Sequence, residues 1–128
     1  MLLTGGCGKA VGQGDLPPLP AGLVDSAENP LGDAANARMT HAGHALRDRI
    51  EPQWGHLDSR LYRLPIERCR GFAATVRQGI PAGWQEQALG AAARGMASVA
   101  FARGGRIIVY LWSTGVRRDG CALAILHN

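Results

Sequence analysis

The sequence predicts an α+β fold, with two helices packed on a four- to five-stranded antiparallel sheet that ends in a C-terminal meander. Three observations predict it. Residues 33–50 and 65–78 repeat apolar side chains at three- and four-residue steps, the period of one helix face. The last third instead holds three short apolar runs of strand length. Gly104-Gly105 separates the first two runs and Asp119-Gly120 precedes the third, both being turn signals.

Residues 1–32 read as a signal remnant followed by a flexible Gly/Pro tether, and residues 33–128 as a single domain. Pro17, Pro18 and Pro20 stiffen the tether, and no apolar period runs through it. Asp33 can cap the first helix, whose stripe is Ala35, Met39, Ala42, Leu46 and Ile50. Pro52 is expected to stop it, because proline cannot donate to the helical ladder. A loop carrying Trp54 and His56 leads to a short strand over 60–64, with Tyr62 and Leu64 on one face.

Pro65 opens the second helix. Its stripe is Ile66, Cys69, Phe72, Ala73 and Val76, and Gly79 with Pro81 closes it. Residues 84–95 have a helix-favouring composition. Their place between a Gly/Pro turn and a run of strands predicts a short strand over 84–88 and a loop through the alanines. The strands over 97–102 and 106–112 then form a hairpin. If Arg103 faces Arg106, Phe101 faces Ile108, Val99 faces Tyr110 and Ala97 faces Trp112, all on one side. The other side pairs Ser98, Ala100 and Ala102 with Leu111, Val109 and Ile107. Both sides are apolar, whereas a sheet with one wet face alternates with polar residues. The small-residue side is expected to receive the two helices. The side of Phe101, Tyr110 and Trp112 needs another cover, or binds a partner, with Arg103, Arg106, Arg117 and Arg118 at the hairpin tips as a charged rim.

Composition narrows the function classes. With 46% hydrophobic and 19% charged residues the chain is globular rather than disordered. The net charge is +4, carried almost wholly by arginine. These arginines are scattered and interleaved with acids, as in Arg47-Asp48-Arg49-Ile50-Glu51, so nucleic acid is not the expected partner. A cytoplasmic Arg-rich nucleic-acid binder is kept as an alternative. The longest apolar run, Ile107 to Trp112, falls far short of the ~20 residues that span a bilayer.

The opening Leu3-Thr4-Gly5-Gly6-Cys7 resembles the lipobox of bacterial lipoproteins, in which small residues precede a cysteine that is lipidated. It departs from that pattern in having Thr4 where the family prefers leucine and in lacking a basic n-region. The layout of strand, helix, Gly-Trp turn and meander is similar to that of small bacterial envelope lipoproteins. The resemblance implies an anchor at Cys7 and a periplasmic, outer-membrane location. Of three cysteines, one lipidated at Cys7 leaves Cys69 and Cys121 to pair in an oxidising compartment; the alternative is that both are small buried thiols.

Catalytic patterns are weak. His41 and His44 lie three apart in the first helix with Asp48 one turn on, so a metal site for a small metal-dependent enzyme is an alternative. The His pair lacks the four-residue spacing and adjacent Glu of the zincin motif. Gly8-Lys9 is preceded by Leu3 where a phosphate loop needs its first glycine, and followed by Ala10 where it needs a hydroxyl. No catalytic residue and no cofactor is expected. The sequence therefore points to a non-enzymatic, envelope-anchored binding protein, an accessory of a secretion or surface apparatus or an immunity-type inhibitor. Its contact with a protein partner is expected through the sheet face or hairpin tips.

Overall fold

The computed structural model describes residues 16–25, 33–115 and 120–128. Along the chain these form β1 (Val24–Asp25), α1 (Asp33–Trp54), β2 (Asp58–Leu64), α2 (Ile66–Cys69) and α3 (Phe72–Gly79). They continue with β3 (Gln85–Gln87), β4 (Met96–Arg103), β5 (Arg106–Ser113) and β6 (Cys121–His127). The fold is α+β. One antiparallel sheet runs β1-β2-β6-β5-β4-β3, and its outermost member β1 is only two residues long.

The β4–β5 hairpin has the register set by its Gly-Gly turn: Arg103 opposite Arg106, Phe101 opposite Ile108, Val99 opposite Tyr110 and Ala97 opposite Trp112. β6 then brings Ile125 beside Tyr110 and Leu123 beside Trp112, and β2 extends this row with Tyr62 beside Leu123. The ambiguous 84–95 segment gives the short strand β3 followed by an irregular stretch through the alanines. An exposed bidentate pair holds β3 to α3, with Arg77 Nε and Nη2 donating to the Glu86 carboxylate at 2.9 and 2.8 Å. That pairing lowers the carboxyl pKa of Glu86 and raises that of Arg77.

The two helical segments sit on opposite faces, which corrects the expectation that one face receives both. α1 lays Met39, Ala42, Leu46 and Ile50 on Ala100, Ile107, Val109, Leu111, Ala122, Ala124 and Leu126. The small residues of β4 and β6 let the long helix approach closely. α2 and α3 place Cys69, Phe72 and Val76 against Tyr62, Phe101, Tyr110, Trp112 and Leu123. Both faces of β5 and β6 are thus dry, which is why neither strand alternates with polar residues.

Three boundaries differ from the sequence reading. α1 runs through Pro52 to Trp54. Proline's fixed φ fits the helix, and in the last turn its missing N–H costs a single bond. The end comes at Gly55, with φ +84° and its N–H donating to the Glu51 carbonyl at 2.8 Å. The second helix is broken into α2 and α3 at Gly71, which takes φ +67°. The break turns Ile66 out of the stripe, leaving it 47% exposed. The tether reading fails for residues 16–23: Leu16 and Leu23 pack against the aromatic core and Pro17 is buried, so this stretch is a strap over the sheet.

Cys69 and Cys121 are joined by a disulfide, their Cα atoms 6.1 Å apart. It fastens α2 to the start of β6 across 52 residues of chain. No helix among the described residues is long and apolar enough to cross a membrane.

Candidate functional site

The aromatic side of the sheet is core, not surface. Phe101, Tyr110 and Trp112 are only 4%, 1% and 7% exposed. Phe72 of α3 meets the Trp112 ring edge-on at 5.1 Å and the Tyr110 ring at 6.4 Å. This corrects their assignment as partner-binding residues: α3 and the strap supply the cover that the apolar face required. Burial pushes the Tyr110 hydroxyl pKa up to about 12, because a phenolate there would be cut off from water. The strap covers the face unevenly. Leu19 is 59% exposed and lines two cavities of about 210 and 270 Å³.

The hairpin tip carries Arg103, which is exposed, and Arg106, which is half-buried with Nη2 donating to the Asn128 carbonyl at 3.3 Å. Arg106 is therefore bound into the sheet end rather than offered to a partner. Asn128 braces the same corner: its carboxamide oxygen accepts from Ile107 N–H at 2.9 Å, and its nitrogen donates to the carbonyls of Trp54 (3.1 Å) and Gly105 (2.8 Å). Arg117, Arg118 and Cys7 lie outside the described residues.

The His-x-x-His pair does not make a metal centre. His41, His44 and Asp48 are all exposed on α1, and His44 Nδ1 lies 2.9 Å from Arg47 Nη2. Among the described residues, no three His, Cys, Asp or Glu side chains converge as metal ligands.

His41 instead lines a groove that the sequence reading missed. Between the N-terminal half of α1 and the stretch before β4 lies a cavity of about 470 Å³, lined by Ala37, Arg38, His41, Ala93, Arg94 and Met96. It adjoins, at Ala93, a second cavity of about 170 Å³ that reaches Ala42, Ala45, Leu46, Arg49, Ala91 and Ala92. Short side chains create this trough. An alanine-rich flank of α1 faces the run Ala91-Ala92-Ala93, and neither wall can fill the gap. Arg49 Nη1 donates to the Ala91 carbonyl at 3.3 Å and ties the two walls together. Among the described residues the lining holds Arg38, His41, Arg49 and Arg94 and no carboxylate. Met96 supplies an apolar floor. The available sequence signal was alanine on both walls, but alanine is also the best helix former and reads first as propensity.

Comparison with protein families, with curated proteins and with solved structures finds no match for this chain.

Proposed function

We propose that this chain is a non-enzymatic binding protein of the bacterial envelope. It is held by a lipid on Cys7 at the periplasmic side of the outer membrane, and takes a protein partner in the groove between α1 and residues 91–96. The observation that carries this reading is the groove itself: an open trough with arginines on its rim, alanine walls and no acid among the described residues of its lining. The disulfide supports an exported location, since such bonds persist in oxidising compartments. The lipobox-like residues around Cys7 support the anchor.

The test is made in the native cells. A photo-crosslinking residue is placed at Ala37 in the groove and, as a control, at Gln78 on the opposite side of the molecule. A discrete protein adduct from position 37 and none from position 78 is the expected result. No adduct from position 37, or equal adducts from both, overturns the reading. Intact mass of the purified chain separately decides the anchor: acylated Cys7 supports it, and a free Cys7 thiol excludes it.

A further inference from the structure

We infer that the groove along α1 takes an extended acidic segment of its partner, about five or six residues long, with apolar side chains turned toward Met96 and carboxylates toward Arg38 and Arg94. This rests on the reading of the groove as the contact surface.

Length, shape and charge lead to this occupant. The trough follows α1 from Ala37 to Arg49. At about 1.5 Å per helical residue that is about 18 Å. An extended chain rises about 3.3 Å per residue, so about five or six residues cover it. A helix is about 10–12 Å across with its side chains. A cavity of about 470 Å³ narrowing to one of about 170 Å³ receives side chains from an extended strand more readily than it encloses a helix.

The lining then specifies side chains. Arg38 and Arg94 stand on opposite walls of the wide end, one on the helix and one on the loop, with His41 beside them. Neither arginine has a carboxylate partner among the described residues. The neighbouring pair Arg47 and Arg49 is already engaged, with His44, the Leu57 carbonyl and the Ala91 carbonyl. The cationic demand therefore falls at the wide end, where a planar guanidinium can grip a carboxylate with two parallel hydrogen bonds. Between these charges the floor is Met96, whose flexible thioether side chain accepts varied apolar groups.

The experiment titrates the full-length, oxidised chain against a fluorescein-labelled peptide of about six alternating leucine and aspartate residues. The readout is fluorescence anisotropy. Control probes are the leucine–lysine peptide, a short single-stranded DNA of equal charge and phosphatidylglycerol vesicles. Binding of the acidic peptide alone is expected, weakened about tenfold or more in R38E/R94E and likewise in A93W, which fills the trough without changing charge. Circular dichroism and an intact Cys69–Cys121 bond confirm that both variants fold. Equal binding of DNA or vesicles overturns the inference, because generic anion attraction then explains the signal. Binding that survives A93W also overturns it. If the peptide fails while the crosslink from position 37 persists, the groove is still the contact surface and only the acidic occupant is wrong. Loss of both removes the contact-surface reading.

Discussion

Gly120 stands directly against the backbone of Leu64: a Cβ at position 120 would run into the Leu64 carbonyl oxygen. Its φ of +118° is also one that side-chain-bearing residues rarely adopt. The next residue, Cys121, pairs with Leu64 across the sheet and carries the disulfide to Cys69. A substitution here must push β6 off β2 or move the anchored cysteine. G120A is expected to cost about 2–4 kcal/mol. At Gly55 the φ is similarly positive, but open space surrounds the missing Cβ, so G55A is expected to cost only about 1 kcal/mol. Urea melts of both variants check the ordering, and equal losses would show that the Leu64 contact is unimportant.

The disulfide closes a loop of 52 residues in the unfolded chain. Chain entropy assigns such a closure about 4 kcal/mol. C69A/C121A is expected to lose about that much stability, a large share of what a domain of this size has. The check is a urea midpoint measured on the variant and on the wild type with and without reductant. If reduction leaves the midpoint unchanged, the bond contributes nothing to the fold and its weight as a sign of an oxidising compartment goes with it.

Tyr110 makes stability depend on alkaline pH. Burial raises its folded pKa to about 12, against about 10 when unfolded. The unfolded chain therefore releases this proton first as pH rises. The contribution is fully present below about pH 10 and is lost progressively as pH rises toward about 12. A gap of about two units corresponds to about 2–3 kcal/mol. Y110F has no proton to lose, so the wild type is expected to weaken relative to Y110F across that window. Parallel stability curves for the two proteins from pH 9 to 12 would show that Tyr110 does not control it.

The features readable in the sequence are those with a strict period or a required turn residue. The hairpin register followed from Gly104-Gly105, because a two-residue turn leaves a single pairing for Phe101 and Ile108. The α1 stripe followed from Met39, Ala42, Leu46 and Ile50. The exposure of Ile66 did not, because Gly71 breaks the helix and resets its phase, and a glycine within a helical pattern reads as a mild cost only. Which layer covers which face was hidden for another reason. Once both faces of β5 are apolar, alternation carries no information about what lies on either side. The groove stayed hidden because it is defined by what alanines leave empty, a property of two segments 50 residues apart that neither segment states alone.

Asn128 is expected to hold the corner where α1, the hairpin turn and β6 meet. N128A removes the acceptor for Ile107 N–H and the donor to the Trp54 and Gly105 carbonyls. Leaving partly buried partners unmatched costs about 1–3 kcal/mol. Amide exchange locates the effect: Ile107 N–H is expected to lose protection before the middle of β5 does. Unchanged exchange at Ile107 would mean that solvent replaces the carboxamide at no cost.

Trp112 and Ala93 separate the two surfaces on which a partner was sought. Trp112 is core, packed edge-on against Phe72, so W112S removes a large buried ring and leaves a hydroxyl in an apolar site. The expected cost is about 3–5 kcal/mol, with binding lost only in proportion to the folded fraction. Ala93 is exposed on the groove wall, and A93W is expected to leave the urea midpoint within about 0.5 kcal/mol of wild type while abolishing crosslinking from position 37. Measuring midpoint and crosslink yield on the same preparations distinguishes the surfaces. If W112S stays folded and loses the partner while A93W retains it, the contact surface is the aromatic face of the sheet, and the strap over it must move aside for the partner to reach it.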